Sequence, residues 1–171
     1  KVREEPHWNP VLFKDAAGRI HLFFKVGRRI KTWETWTMTS DDQGRSWSAP
    51  RELVPGDRGG RGPVKNKPII LSDGTWLAPA SLEGDGWRAF CDRSADGGRT
   101  WEATAPLGDG VIQPTLWESA PGRVHMMLRS TCGVICRSDS QDGGRTWSEV
   151  YRTAIPKNCC GIDVARLGDG T

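Results

Sequence analysis

Side chains able to do acid/base or anion chemistry fall into two groups in this chain of 171 residues. The first group is repeated. Asp42, Asp96 and Asp142 each stand in one pattern, Ser-x-Asp-x-Gly-x-Ser/Thr-Trp, running Ser40 to Trp47, Ser94 to Trp101 and Ser140 to Trp147. A catalytic centre needs one constellation, whereas a fold of repeated units needs one staple per unit, so the three carboxylates read as turn chemistry. Asp and Ser side chains accept hydrogen bonds from nearby backbone amides, and Gly supplies a positive φ. The Trp adds a large apolar plate with one N–H, suited to anchoring neighbouring sheets. The second group is not repeated. Asn9, Lys25, Arg28, Arg29, Lys31, Arg61, Lys65, Asn66, Lys67, Gln113 and Arg129 are cationic or amide-bearing, and the carboxylate Glu83 lies among them. Such a set suits a ligand bearing carboxylate, sulfate or phosphate, gripped in bidentate fashion by Arg and attracted by Lys as a point charge.

Positioning these groups falls to short strands. The box Trp residues recur 54 and then 46 positions apart, a period that implies stacked supersecondary units such as a propeller or solenoid. Apolar runs broken by turn signals predict strands over 8–13, 20–26, 33–39 and 46–49 in the first unit. The second unit gives 68–71, 75–82, 87–93 and 100–104; the third gives 112–117, 123–129, 134–139 and 146–152. A further unit begins near Ile162, with Gly168-Asp169-Gly170 as its turn. In a four-stranded antiparallel unit the first turn and the box turn share one face. The second-to-third loops and the connections between units share the other, and there the residues differ from unit to unit, as binding loops on a rigid scaffold do.

On that variable face Asn9, Lys67 and Gln113 open first strands and point to the central channel. Lys65 and Lys67 flank Asn66 in a connecting loop, where two neighbouring cations cost desolvation unless they serve a ligand. Glu83, at the upper end of a second strand, is the best placed carboxylate for acid/base work, with a salt bridge to Lys65 or Lys67 as its rival role. Arg28, Arg29, Arg58 and Arg61 read more simply as solvated loop charges, and Trp33, Trp76, Trp87 and Trp117 as packing rather than sugar platforms.

The net charge of +3 carries no Lys/Arg run, which permits an anionic substrate without pointing to nucleic acid. No run of ~18 apolar residues is present, so no membrane span is expected. The five cysteines, Cys91, Cys132, Cys136, Cys159 and Cys160, have no spacing typical of zinc or redox sites, and no metal or other cofactor is expected. Either Cys132 or Cys136 pairs with Cys159 or Cys160, or all are free thiols in a reducing compartment.

The three boxes resemble the Asp boxes of the sialidase (neuraminidase) superfamily. The stretches between them, His7-Trp8-Asn9-Pro10, Gly62-Pro63-Val64-Lys65-Asn66-Lys67-Pro68 and Gln113-Pro114-Thr115-Leu116-Trp117-Glu118, resemble sialidase-like proteins with BNR repeats. That resemblance implies an all-β fold, a partial six-bladed β-propeller. It divides the chain into blades at about 7–50, 63–105 and 111–153, with the start of another at 162–171. A whole propeller of this type needs roughly twice the length, so the chain reads as an internal fragment of one.

The implied function is that of an exo-acting glycoside hydrolase removing a terminal acidic sugar, sialic acid or a relative, from an acidic glycan. The resemblance also implies a secreted or periplasmic setting and leaves the oligomeric state open. Sialidases grip the sugar carboxylate with three arginines and use a Tyr nucleophile assisted by a Glu, with an Asp as acid/base. The second arginine is matched by Arg129 in Met126-Met127-Leu128-Arg129-Ser130. The Glu position falls on Gln113, which can hold a hydroxyl but cannot take its proton. Glu118 does not replace it, being five residues, or ~17 Å, along the strand. Tyr151, the only tyrosine, does not match the nucleophile. Two rivals therefore stand beside the sialidase reading: a non-catalytic carbohydrate-binding propeller, and a glycosidase for a different acidic sugar. A scaffold for protein partners is a weaker third, since it would expose an apolar face.

Overall fold

Where branched and aromatic residues alternate with polar ones, this chain forms strands, and Gly-rich turns fold them back on one another. The computed structural model describes residues 1–158 and 160–167. Its first sheet holds β1 (His7–Lys14), β2 (Ile20–Val26), β3 (Glu34–Ser40) and β4 (Arg51–Glu52) in that spatial order. The second holds β5 (Ile69–Ile70), β6 (Trp76–Leu82), β7 (Arg88–Ser94) and β8 (Glu102–Ala103), and the third β9 (Val111–Ala120), β10 (Arg123–Ser130), β11 (Val134–Ser140) and β12 (Tyr151–Pro156), each again in sequence order. All pairings within the sheets are antiparallel. Among the described residues the only helical segment is a 3-10 turn, Ile30–Thr32.

The three sheets stack side by side, and burial follows from the stacking. Val11, Phe13, Phe23 and Leu53 of the first sheet close on Trp76 of the second, with Ile70 and Trp101 at the margin. Leu71, Leu77, Ala89 and Cys91 of the second close on Val111, Leu116, Val124, Met126, Leu128 and Cys136 of the third. The middle sheet is therefore covered on both faces, which is why β6 is buried at six consecutive positions rather than alternating. In β10 the pattern alternates, with Val124, Met126, Leu128 and Ser130 turned to the second sheet. Its other face carries a polar cluster. Asp139 accepts from the Tyr151 hydroxyl (2.6 Å) and from Arg137 Nε (2.9 Å), and touches His125. Arg137 lies over the Trp117 ring, 5.3 Å from its centroid.

The repeated boxes sit on the β3–β4, β7–β8 and β11–β12 connections, and their side chains build the turns. In the first, Ser40 Oγ takes the Gly44 amide and donates to Asp42 Oδ1, each at 2.8 Å, while Asp42 accepts the Ser46 amide and hydroxyl at 2.8 and 2.6 Å. The same bonds recur from Ser94, Asp96 and Thr100, and from Ser140, Asp142 and Thr146. Arg19, in the first turn, bonds Asp41 within the first box (2.6 Å), and the Gly143 amide bonds the Gly122 carbonyl (3.0 Å), so both kinds of turn share one face as expected. Trp101 meets Phe23 of the preceding sheet edge-on, with centroids 6.3 Å apart, and Trp147 packs on the second seam.

Three fourth strands begin later than the sequence suggested: β4 at Arg51 rather than 46, β8 at Glu102 rather than 100, and β12 at Tyr151 rather than 146. The box Trp belongs to the turn. In the first two boxes its indole N–H returns to the carbonyl of Gly44 or Gly98 at 3.1 Å, and in the first and third a serine just beyond it clasps the third strand through its own side chain. Ser48 Oγ and Ser148 Oγ take the amides of Thr39 and Asp139, each at 3.0 Å, where a strand carbonyl would otherwise stand. The strand expected near Ile162 is absent within Ile162–Leu167, and its proposed turn lies outside the described residues.

Candidate functional site

Two first strands share a distortion that sets up the variable face. Asn9 and Gln113 both adopt positive φ, 47° and 51°, each just before a proline. The register of β1 with β2 slips between Trp8 and Val11, and that of β9 with β10 between Met127 and Arg129. Proline cannot donate to the ladder, and here Asn9-Pro10 and Gln113-Pro114 each sit at a bulge; bulges re-aim side chains at the rims of sheets. Positive φ in a non-glycine residue is strain of the kind concentrated at functional sites.

At the third-sheet bulge a small polar chain crosses the seam. Arg129, near the end of β10, donates from Nη1 to Gln113 Oε1 at 3.1 Å. Gln113 Nε2 in turn makes a long 3.4 Å bond to Glu83 Oε1, just past β6. Glu83 Oε1 also accepts from Ser81 Oγ at 2.9 Å. The Arg129 guanidinium stacks on Trp87, 5.1 Å from the ring centroid, and its buried Nε–H has no partner among the described residues. The structure thus brings together three residues that the sequence singled out, Arg129, Gln113 and Glu83, and adds Trp87 as the floor of the cation, in keeping with a packing role. The amide of Gln113 is held from both sides: its oxygen faces a cation and its nitrogen a carboxylate.

The remaining candidates fall elsewhere. Asn66 is buried and spends its Nδ2 on the Gln113 and Pro114 carbonyls, at 3.1 and 2.8 Å, so it fixes the bulge from behind. Lys65 Nζ donates to Asn66 Oδ1 (3.0 Å) and to the Ile162 carbonyl (2.8 Å). Lys67 pairs with Asp163 at 3.1 Å, and Asp163 also accepts from Thr115 Oγ1 at 3.0 Å. Neither lysine pairs with Glu83, because both turn towards the 162–163 segment. Asn9 keeps the equivalent bulge position in β1 and is half-buried.

Lys25 is fully buried. Its ammonium donates to Thr35 Oγ1 (2.8 Å) and to the carbonyls of Gly60, Arg61 and Gly62 at 3.2, 2.7 and 3.3 Å. Burial pushes it down to about 7, against the pull of Asp92, Asp57 and Glu83. Expected on the variable face as a ligand-binding cation, it instead spends its ammonium inside the protein, because the 60–62 carbonyls lie against it. Arg61, expected as a solvated charge, bonds buried Asp92 from Nε at 2.6 Å and the Trp101 carbonyl from Nη2 at 2.9 Å. Burial pushes the Asp92 carboxyl up, while the Gly62 amide and Arg61 draw it back. Lys25, Arg61 and Asp92 together pin the 57–62 loop across the first seam. An Asp in the middle of β7, following apolar Phe90 and Cys91, was the one signal available for it.

The cysteines are also rearranged. Among the described residues Cys91 and Cys136 are buried free thiols, and Cys132 and Cys160 exposed ones. Cys132 lies against Cys136, with Sγ atoms 3.7 Å apart, rather than being joined to Cys160; Cys159 lies outside the described residues.

Across residues 1–171 the sequence matches the family model described as a BNR repeat-like domain. No curated protein matches it. Among solved structures it is similar to the Hadza microbial sialidase Hz136, with 21% identity and a TM-score of 0.76 over 89% of this chain and 34% of that one. It is similar to the NanB sialidase of Streptococcus pneumoniae, at 14% identity and TM-score 0.75 over 97% and 43%. A Trypanosoma rangeli sialidase solved with sialic acid aligns at 18% identity and TM-score 0.68 over 85% and 28%. The chain spans less than half the length of each of these three. At these identities the likeness establishes the fold: all-β, a partial propeller of the sialidase type.

Proposed function

The chain belongs to the BNR repeat-like domain family, and from that premise we propose that it supplies three consecutive blades of an exo-acting glycoside hydrolase that removes a terminal acidic sugar from glycans. The observation that carries this reading is the Arg129 guanidinium: stacked on Trp87, bonded to Gln113 through Nη1, and left with a buried Nε–H that has no partner among the described residues. A buried polar hydrogen without an acceptor costs free energy, and a sugar carboxylate arriving beside it would recover that cost with charge-assisted bonds. Glu83, joined to the same group through Gln113, is the carboxylate that in this reading exchanges a proton with the bound sugar. Gln113 orients both groups. Lys65 and Lys67 add a positive field near the Gln113 bulge, although each is already engaged with the 162–163 segment.

The test is release of a fluorogenic aglycone from a sialic acid conjugate by the complete protein. Turnover is expected, and Arg129→Ala should lower kcat/KM by about 10- to 100-fold or more, the worth of a charge-assisted bond or two. Unchanged turnover in that variant would remove Arg129 from the site. One observation favours a second reading, a carbohydrate-binding propeller without catalysis: the amide of Gln113 occupies the position where a base is expected. Acidic-sugar binding without turnover of sialic acid or other acidic-sugar conjugates would select it. Turnover of another acidic sugar alone would keep the hydrolase and change its substrate.

A further inference from the structure

Beyond β10 the chain turns through Thr131 to Gly133 into β11, and this hairpin carries two thiols with different surroundings. Cys132 is exposed in the loop, and Cys136 is buried within β11 opposite Leu128. Their sulfurs are 3.7 Å apart, in van der Waals contact, and closing to a bond of about 2.05 Å requires a small movement of the loop. The loop has room for it. Gly133 adopts φ 79° with open space around its Cβ position. Both thiols line a cleft of about 570 Å³, together with Ser130, Trp147 and Arg152. Arg152 donates to the Cys132 carbonyl at 3.1 Å, placing a cation beside the exposed sulfur.

We propose that Cys132 and Cys136 are a site of reversible oxidation, closing to an intrastrand-loop disulfide when a hydroperoxide enters this cleft. The chemistry divides between the two sulfurs. Cys132 as thiolate attacks one peroxide oxygen; the O–O bond breaks, the other oxygen leaves as water or an alcohol after taking a proton, and Cys132 becomes a sulfenic acid. The Cys136 sulfur then attacks the Cys132 sulfur, the S–S bond forms, and hydroxide leaves with the Cys136 proton as water. Two electrons pass from the two sulfurs to the peroxide, so no other reagent is needed. The surroundings favour this order. The Ser130 hydroxyl, 3.2 Å from Cys132, holds that thiol below its ordinary value, with the Val134 amide and Arg152 acting the same way. Burial pushes Cys136 up, which keeps it out of the first step; its place 3.7 Å from Cys132 is what lets it take the second. The bridge would sit three residues beyond Arg129, at the edge of the candidate site, but its formation does not depend on the proposed activity.

Peptide mapping of the full chain tests this directly. Trypsin cleavage after Arg129 and Arg137 isolates residues 130–137, which hold Cys132 and Cys136 and no other cysteine. After graded hydrogen peroxide and iodoacetamide, this peptide is expected unalkylated and about 2 Da lighter than its dithiol form, with full alkylation restored by dithiothreitol. In Cys132→Ser the loss should vanish, while in Cys136→Ala residue 132 should stop at a dimedone-reactive sulfenic acid. Recovery of the peptide doubly alkylated at doses that oxidise Cys160 would overturn the proposal. So would its recovery cross-linked to the peptide that carries Cys159 and Cys160. The wild-type measurement stands whether or not the Cys136 variant folds.

Discussion

Gln113 is the residue on which the chemistry of the candidate site turns. Its amide separates a cation from a carboxylate, Arg129 at 3.1 Å and Glu83 at 3.4 Å. Replacing it with Glu would set two carboxylates side by side against one arginine. Like charges at that range raise the pKa of one member of the pair, so it stays protonated to higher pH. If Glu83 must ionise for turnover, the acid limb of the kcat/KM profile in Gln113→Glu should move to higher pH. A profile that keeps its acid limb would separate Glu83 from the chemistry. The sequence singled out these three residues because each stood on the variable face at a strand end. Their mutual contact was not legible there, since Glu83 and Gln113 lie 30 positions apart and meet only across the seam between two sheets. Lys25 shows the opposite outcome: a cation chosen for its place near a loop is turned inward to carbonyls.

Among the elements, the box turns are the most fully determined by local sequence. In each of them the Ser, the Asp and the Ser or Thr before the Trp bond one another or the turn's own amides, within eight residues. Hydrogen bonds from the Ser46 hydroxyl and amide hold Asp42 down from its ordinary 3.8 to about 2. The Thr100 amide and hydroxyl hold Asp96 lower still. For Asp142 burial pushes upward, but bonds from Thr146 and Ser140 outweigh it. The folded carboxylates therefore release their protons more readily than the unfolded ones, and between the two values the unfolded chain binds more protons. Their stabilisation is complete above about pH 4 and is lost as pH falls towards 2 and below. Acid titration of the denaturation midpoint should show this loss, and a triple Asp→Asn variant should be weaker at pH 7 but flatter below pH 4. Equal acid slopes in the two proteins would mean that the boxes do not carry it. The ends of the elements were harder to read than their cores. Tryptophan has high strand propensity, yet the box Trp is held in the turn by its own indole N–H in the first two boxes, and the strands start beyond it.

At the scale of the molecule the seams between sheets hold the structure together. The second is apolar, built on Leu77, Met126 and Leu128. The first adds a buried polar clasp, in which Lys25 binds three consecutive carbonyls of the 60–62 loop while Arg61 of that loop binds Asp92 on the next sheet. Lys25→Met keeps the volume and removes the donor, leaving those carbonyls unsatisfied at about 1–3 kcal/mol each before relaxation. A loss of about 3 kcal/mol or more in unfolding free energy is expected from denaturant titration followed by tryptophan fluorescence. An unchanged midpoint would show that the loop carbonyls find other donors.

The sequence established the repeat, the turn in each box, the all-β class and the split between a stapled face and a variable one. These rest on local rules, in which a side chain bonds its own neighbours within a few residues, and such rules survive without knowledge of the rest of the chain. Three matters waited for tertiary structure: the joining of Arg129 to Glu83 through Gln113, the burial of Lys25 and Asp92, and the approach of Cys132 to Cys136. The first two depend on how neighbouring sheets meet, and the third on how a hairpin loop folds back on its strand. Burial and long-range contact arise from that packing, so spacing along the chain does not encode them one residue at a time.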